Sequence, residues 1–163
     1  YYEFLKKNTA GILAMDTAIL REMIYGSLCI KRQVVEQDPT EKGIRALLNF
    51  GHTLGHAIEK MNEFSLMHGE CVSAGMVAAA EISVLRGSLS KEEANALTDM
   101  LRDFGMVTKV SMLPKEDLLS ICHHDKKADG SKINFILLRR IGEAYIDPEV
   151  TDEEIWTSFQ AIV

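Results

Sequence analysis

The sequence predicts a mainly α-helical fold with one small β-hairpin. Only three prolines and eleven glycines interrupt 163 residues, and the long stretches between them keep the apolar spacing of helices. Two short β-like runs follow one another near the C-terminal end. No internal repeat or low-complexity tract divides the chain, so we expect one helical domain over residues 1–163, long enough to bury a core.

The first half of the chain reads as helices separated by one irregular segment. The first residues already have a helical pattern, and the sequence does not begin with Met. These two features predict that the sequence is a piece of a longer protein. Apolar spacing predicts a helix over Thr17–Glu36, and Pro39 ends it because proline disfavours helical geometry in the residue before it. Gly43–Phe50 is short and irregular, and Gly51–Met61 is predicted to be helical.

The second half begins with a core helix. Gly69–Arg86 is apolar on nearly all sides, which is typical of a buried helix. Ser90 and Glu93 form a predicted capping box for a helix that ends near Gly105. A shorter helix is predicted over Pro114–Ile121.

A hairpin and a last helix complete the predicted elements. The β-like runs Lys132–Leu138 and Glu143–Ile146 are separated by four residues that suit a hairpin turn. Thr151 and Glu154 form a second predicted capping box, which opens a helix through Ile162.

Composition excludes several classes of protein. The sequence contains 18 Lys and Arg and 24 Asp and Glu, which give a net charge of −6. Such a composition lacks the excess of positive charge that binds nucleic acid phosphates. No apolar run approaches the roughly 18–20 residues that span a membrane, and no secretory signal is visible. Three cysteines at wide spacings favour a reducing compartment. We expect a cytoplasmic protein that binds neither nucleic acid nor a membrane.

Three histidines suggest a metal site. His52 and His56 lie four residues apart, on one face of a helix, and His68 follows where the next helix starts. Catalytic zinc sites commonly use three protein ligands. Neighbouring glycines would let the backbones pack closely; they are Gly51, Gly55 and Gly69. The alternative is that each histidine makes only an ordinary hydrogen bond.

Basic and amide side chains beside the histidines suggest an anion site. Arg45 and Asn49 precede the first histidine, and Lys31 lies one helix upstream; arginine binds carboxylate or phosphate through two hydrogen bonds. A solvated helix face is the alternative for Lys31. Lys126 and Lys127 are either a polar loop tip, which composition favours, or a second anion clamp. These features predict a metal centre that binds a small polyhydroxylated acid or phosphate ester.

The same residues carry a family resemblance. The segment Arg45-x-x-x-Asn49-Phe-Gly-His52-Thr-Leu-Gly-His56-Ala-Ile-Glu59, followed by Met67-His68-Gly69-Glu70, closely resembles the signature of 3-dehydroquinate synthase. Further matches are Lys31, Val34, Val35 and Asp38 upstream, and Asp125, Lys126 and Lys127 downstream.

The resemblance implies a two-domain enzyme of which this sequence is the C-terminal domain. An N-terminal α/β domain, which would make most of the contacts to NAD, is expected to be absent from this sequence. The family holds zinc or cobalt with two histidines and one glutamate. His52 and His68 match the histidines, and the glutamate is expected shortly before Tyr1.

The resemblance also implies roles in substrate binding. Lys31, Arg45 and Asn49 match residues that hold the carboxylate and hydroxyls of a seven-carbon substrate. One or both of Lys126 and Lys127 match a lysine that binds its phosphate.

The catalytic residues that the resemblance implies are His56, near the phosphate, and Glu41, which would relay its proton. The whole enzyme would be a lyase of the shikimate pathway, which leads to chorismate and the aromatic amino acids. It would form 3-dehydroquinate and phosphate from 3-deoxy-arabino-heptulosonate 7-phosphate, use NAD without consuming it, and act as a homodimer. We expect the 163-residue chain alone to be inactive.

Three alternatives remain open. A metal-dependent polyol or alcohol dehydrogenase would have no acidic substrate group for Arg45 and Lys31 to bind. A related sugar-phosphate cyclase would act on a substrate without a carboxylate. A non-enzymatic module with a structural zinc would usually need four ligands, often cysteines, whereas Cys71 is the one cysteine within a few residues of these three histidines.

Overall fold

The computed structural model describes residues 1–40, 43–63, 65–124 and 133–163. The chain consists of two compact units, Tyr1–Leu48 and Asn49–Val163. The predicted fold class, mainly helical with one small hairpin, is confirmed. A single domain over residues 1–163 stays a prediction.

The described residues of the first unit form three α-helices. They are α1 (Tyr2–Lys7), α2 (Thr9–Leu13) and α3 (Thr17–Gln37). Asp16 caps α3, because its Oδ1 accepts the backbone N–H groups of Ala18 and Ile19 at 2.9 and 3.1 Å. The helix predicted over Thr17–Glu36 is therefore confirmed to within one residue at its C-terminal end.

The irregular segment after α3 contains a 3₁₀ helix, Ile44–Asn49. Its entry is organised by Asp38, whose Oδ2 accepts the N–H of Gly43 at 2.7 Å and the N–H of Arg45 at 3.1 Å. One carboxylate thus satisfies two backbone donors that no regular helix would satisfy.

The second unit contains the remaining helices. They are α4 (His52–Met61), α5 (His68–Leu85), α6 (Lys91–Asp103), α7 (Lys115–His124) and α8 (Asp152–Gln160). The predicted order is confirmed. The prediction ended α7 three residues too early, at Ile121, and α8 two residues too late, at Ile162; helix ends are the least determined part of a periodic pattern.

The hairpin pairs β1 (Phe135–Arg140) with β2 (Glu143–Asp147) in antiparallel register. The first strand continues two residues beyond the predicted Leu138, whereas the predicted start, Lys132, lies outside the described residues. The turn is short because Gly142 has a φ of 92°, a conformation that glycine adopts without steric cost.

Helix α5 occupies the centre of the core, as its all-round apolar sequence predicted. It packs against α4, α6, α8 and β1, and Ser83 joins it to the hairpin by accepting the N–H of Leu138 at 3.0 Å. The largest fully buried apolar side chains are Leu54, Ile58, Ile82, Leu118, Phe135, Leu137, Ile155, Phe159 and Ile162.

The two predicted capping boxes differ. Thr151 and Glu154 form the complete box. Ser90 accepts the N–H of Glu93 at 3.2 Å, but the Glu93 carboxylate accepts the N–H of Ile141 in the hairpin turn at 3.2 Å. The other oxygen of this carboxylate accepts the hydroxyl of Ser90 at 3.2 Å, so Glu93 contacts both the start of α6 and the hairpin turn. No described helix has the length and apolarity needed to cross a membrane.

Candidate metal and substrate site

Two helix starts in the second unit carry the three histidines. Helix α4 begins at His52, directly after Gly51, whose φ of 82° turns the chain into the helix. His56 lies one turn further along α4, and His68 is the first residue of α5. Glu70 fixes the start of α5, because its Oε2 accepts the N–H of Met67 at 2.8 Å.

Glycines allow α4 and α5 to touch backbone to backbone. A Cβ on Gly75 would overlap the carbonyl oxygen of Gly51 and lie 2.7 Å from the nitrogen of Gly55, and a Cβ on Gly55 would lie 3.0 Å from the Cα of Val72. The predicted close packing is thus present at Gly51 and Gly55. It was wrong for Gly69, where a Cβ would meet nothing within 4 Å.

This close crossing brings the three imidazoles together. Ring centroids lie 5.4 Å apart for His52 and His56, and 5.5 Å apart for each of these and His68. Their potential ligand atoms all lie within 4.8 Å of one another. Across the described parts of the chain, this is the one group of three or more such side chains that could hold a metal ion.

The ring orientations suit metal ligation. Nδ1 of His52 lies 3.4 Å from the carbonyl oxygen of Phe50, and Nδ1 of His68 lies 3.2 Å from Oε2 of Glu59. An imidazole that donates from Nδ1 keeps the lone pair of Nε2 for a ligand. Burial lowers the pKa of His52, which favours its neutral, ligating form. The donor set therefore fits zinc or cobalt.

Sequence reasoning gave Glu59 no role, although it lies in the quoted motif. Its carboxylate is the observed partner of His68, and its side chain is only 19% exposed. The signal was present: Glu59 follows His52 by seven residues and His56 by three, which places all three on one helix face.

Cys71 lies on α5 close to this site. It is fully buried, and burial raises the pKa of its thiol, as do the negative charges of Glu59 and Glu70. The thiol form is therefore favoured at neutral pH, which argues against a nucleophilic cysteine in this site.

The predicted anion-binding residues are divided between the two units. Lys31 is exposed on α3, and Arg45 donates from Nη1 to the carbonyl oxygen of Pro39 at 3.1 Å; both belong to the first unit. Asn49 is exposed and belongs, like the histidines, to the second unit.

The structure thus brings His52, His56 and His68 together, whereas the grouping of Lys31 and Arg45 with them stays a prediction. The other predicted site residues, Glu41, Lys126 and Lys127, lie outside the described residues.

Comparison with known proteins identifies the family. A family model described as 3-dehydroquinate synthase C-terminal matches residues 1–128. The chain belongs to this family. The resemblance drawn from the histidine motif is therefore confirmed.

Curated relatives agree with this assignment. A 3-dehydroquinate synthase of Dehalococcoides mccartyi strain CBDB1 is 37% identical over 154 residues, which cover 94% of this chain and 43% of the relative. Those of Acetivibrio thermocellus and of Neisseria meningitidis serogroup A are each 39% identical over 156 residues, covering 95% of this chain and 43% of the relative. The chain thus spans about two fifths of the length of these relatives.

Solved structures share the fold. A 2-epi-5-epi-valiolone synthase from Streptomyces hygroscopicus, with NAD+ and Zn2+ bound, superposes with a TM-score of 0.82 at 23% identity, covering 99% of this chain and 45% of the other. A 2-deoxy-scyllo-inosose synthase complexed with carbaglucose-6-phosphate, NAD+ and Co2+ gives a TM-score of 0.71 at 24% identity, covering 82% and 39%.

Proposed function

We propose that this chain is the metal- and substrate-binding part of a 3-dehydroquinate synthase. The whole enzyme would convert 3-deoxy-arabino-heptulosonate 7-phosphate into 3-dehydroquinate and phosphate, as a lyase of chorismate and aromatic amino acid biosynthesis. The observation that carries the proposal is the cluster of His52, His56 and His68, whose potential ligand atoms lie within 4.8 Å, in a chain of this family.

His52 and His68 are the proposed metal ligands. Their Nδ1 atoms each face a protein oxygen, which leaves Nε2 of both rings available to one ion. Bound zinc or cobalt would supply Lewis-acid chemistry to a substrate hydroxyl. A glutamate outside this sequence is the proposed third ligand.

His56 is the proposed proton-transfer residue. It lies on the same face of α4 as His52, with ring centroids 5.4 Å apart, so a proton exchanged at its ring would be close to a substrate held beside the metal. Glu41 is proposed to relay that proton.

The basic and amide side chains are proposed to orient the substrate. Arg45 and Lys31 would bind its carboxylate, Asn49 would hydrogen-bond a hydroxyl, and Lys126 or Lys127 would bind the phosphate. Fixing a flexible sugar acid at several points lowers the entropy that the reaction must lose, which is a large part of catalysis by positioning.

The remaining proposals concern the intact enzyme. We propose that NAD is bound mainly by another domain and is regenerated in each turnover, that the enzyme is a cytoplasmic homodimer, and that its partners are small molecules. On this proposal the 163-residue chain alone shows no turnover.

Separate histidine substitutions test the site. In the intact enzyme, His52→Ala and His68→Ala are expected to weaken zinc binding at least tenfold by calorimetry, because each removes a ligand. His56→Ala is expected to keep zinc binding and, in the intact enzyme, to lower kcat about 10²-fold or more, since general acid–base catalysis contributes about 10²–10⁴-fold.

His123→Ala is the matched control. Its ring is hydrogen-bonded to Asp152 at 2.8 Å on another part of the second unit, so zinc binding and kcat are expected to stay unchanged. Zinc binding that survives both His52→Ala and His68→Ala would contradict the proposed ligands.

The alternative activities are tested by substrate. Turnover of a simple polyol, or of a sugar phosphate without a carboxylate, in preference to the seven-carbon acid would contradict the proposal. Arg45→Ala in the intact enzyme is expected to raise KM and lower kcat for the acid, because the substrate carboxylate loses its charged partner.

A further inference from the structure

Glu59 and His68 form a pair that joins the two helices of the histidine cluster. Oε2 of Glu59, near the C-terminal end of α4, lies 3.2 Å from Nδ1 of His68, the first residue of α5. The two side chains differ in exposure, at 19% for Glu59 and 53% for His68. The better-packed carboxylate can therefore hold the more exposed ring.

The contact has a defined chemical consequence. The two nitrogens of a neutral imidazole are one donor and one acceptor, and the hydrogen bond at one nitrogen decides the role of the other. A carboxylate beside Nδ1 favours the proton on Nδ1, so Nε2 keeps its lone pair. Such a carboxylate also fixes the ring orientation and makes the second nitrogen more basic.

His68 has more need of such a partner than His52. His52 lies within the first turn of α4, is half-buried, and has a backbone carbonyl near its Nδ1. His68 is exposed at a helix start. The other nearby carboxylate, Glu70, accepts the N–H of Met67.

We propose that Glu59 is a positioning residue that holds His68 in the Nδ1–H tautomer and presents Nε2 to a divalent cation. The ligand role of His68 rests on the proposed function, whereas the tautomer follows from the contact between the two side chains. Glu59 acts through His68 and not on the substrate.

The first experiment measures the tautomer directly. The full chain, labelled with ¹⁵N in its histidine rings, is examined by NMR with a chelator present and at a pH where the imidazoles are neutral. His68 is expected to carry its proton on Nδ1. Glu59→Leu, which removes the acceptor, is expected to shift the ring towards the Nε2–H form, and Glu59→Gln, whose amide oxygen still accepts, is expected to keep the Nδ1–H form.

The second experiment measures the zinc affinity of the intact enzyme with the same substitutions, by calorimetry. Glu59→Leu is expected to lower the affinity about 10–100-fold, the usual effect of losing such a partner, and Glu59→Gln by a smaller factor. Glu63→Gln is the matched control, since it removes one exposed carboxylate charge just beyond the end of α4; it is expected to leave both readouts unchanged.

The outcomes separate the two proposals. A wild-type His68 with its proton on Nε2 would overturn the role of Glu59, and this result needs no folded variant. Zinc affinity of Glu59→Leu and Glu59→Gln equal to that of Glu63→Gln would also overturn it. A wild-type intact enzyme that binds no zinc would instead overturn the proposed metal centre, and the tautomer would still decide the role of Glu59.

Discussion

The two compact units use similar helical patterns but differ in packing. None of the described residues of Tyr1–Leu48 is buried, whereas Asn49–Val163 contains every buried residue of the described chain. In α3, Ile24, Tyr25 and Leu28 are 54%, 70% and 59% exposed. Helical spacing of apolar residues therefore predicts a helix without showing that the helix has a core to pack against.

The difference in packing matters for function because the histidine cluster belongs to the second unit. Its packed core holds α4 and α5 in a fixed crossing, and that crossing places the histidines. If the second unit is the better packed of the two, substitutions of the same type should lower the free energy of unfolding by different amounts in the two units.

The largest difference is expected for a matched pair of isoleucines. Ile82→Ala on α5 removes a fully buried side chain and Ile24→Ala on α3 removes a half-exposed one. The first is expected to lower the free energy of unfolding by about 4 kcal/mol, through lost transfer energy and a cavity, and the second by under about 0.5 kcal/mol. Urea unfolding, followed by circular dichroism and by the single tryptophan, Trp156, measures both. Equal losses would contradict the comparison.

The next effect concerns the helix crossing. Gly75→Ala places a methyl group against the backbone of α4, so it is expected to cost about 3 kcal/mol, at the upper end of overpacking, and to weaken zinc binding by separating the histidines. Gly69→Ala lies on the same helix in open space and is expected to be neutral or slightly stabilising. If Gly75→Ala left stability and zinc affinity unchanged, the crossing would not be what positions the cluster.

A smaller effect is expected at the ion pairs that close the second unit. Arg86 binds both carboxylate oxygens of Glu154 at 2.8 Å and also pairs with Asp147. The hydrogen bonds from Arg86 lower the pKa of Glu154 from 4.5 to about 2. Glu154→Gln is expected to cost about 2 kcal/mol at neutral pH, as for a charged, largely buried hydrogen bond.

The pH dependence of that effect follows from linkage. Because the folded pKa of Glu154 is depressed, its stabilisation is complete above about pH 4.5 and is lost as the pH falls towards about 2. The stability difference between wild type and Glu154→Gln should shrink over that range. Asp99→Asn is the control, because its pair with Arg102 is about two-thirds exposed and should contribute little at any pH.

Local sequence signals predicted most helices and strands, because the residues that start, stop and stabilise these elements are close to them in the sequence. The capping residue Thr151, the glycine before α4 and the apolar run of α5 each act within one or two turns of chain, and each element formed where it was expected. The exceptions involve tertiary contacts: Glu93 binds the hairpin turn as well as Ser90, and a Cβ on Gly69 would meet no neighbour within 4 Å.

The sequence by itself determined the family, the helical class and the three histidines, since all of these are properties of residue type and spacing. Only the tertiary structure decided that Gly75 joins Gly51 and Gly55 at the crossing, that Glu59 faces His68, and that Ile24, Tyr25 and Leu28 of α3 are exposed. The reason is that periodicity determines which side of a helix a residue occupies, whereas the contact made by that side depends on residues distant in the chain.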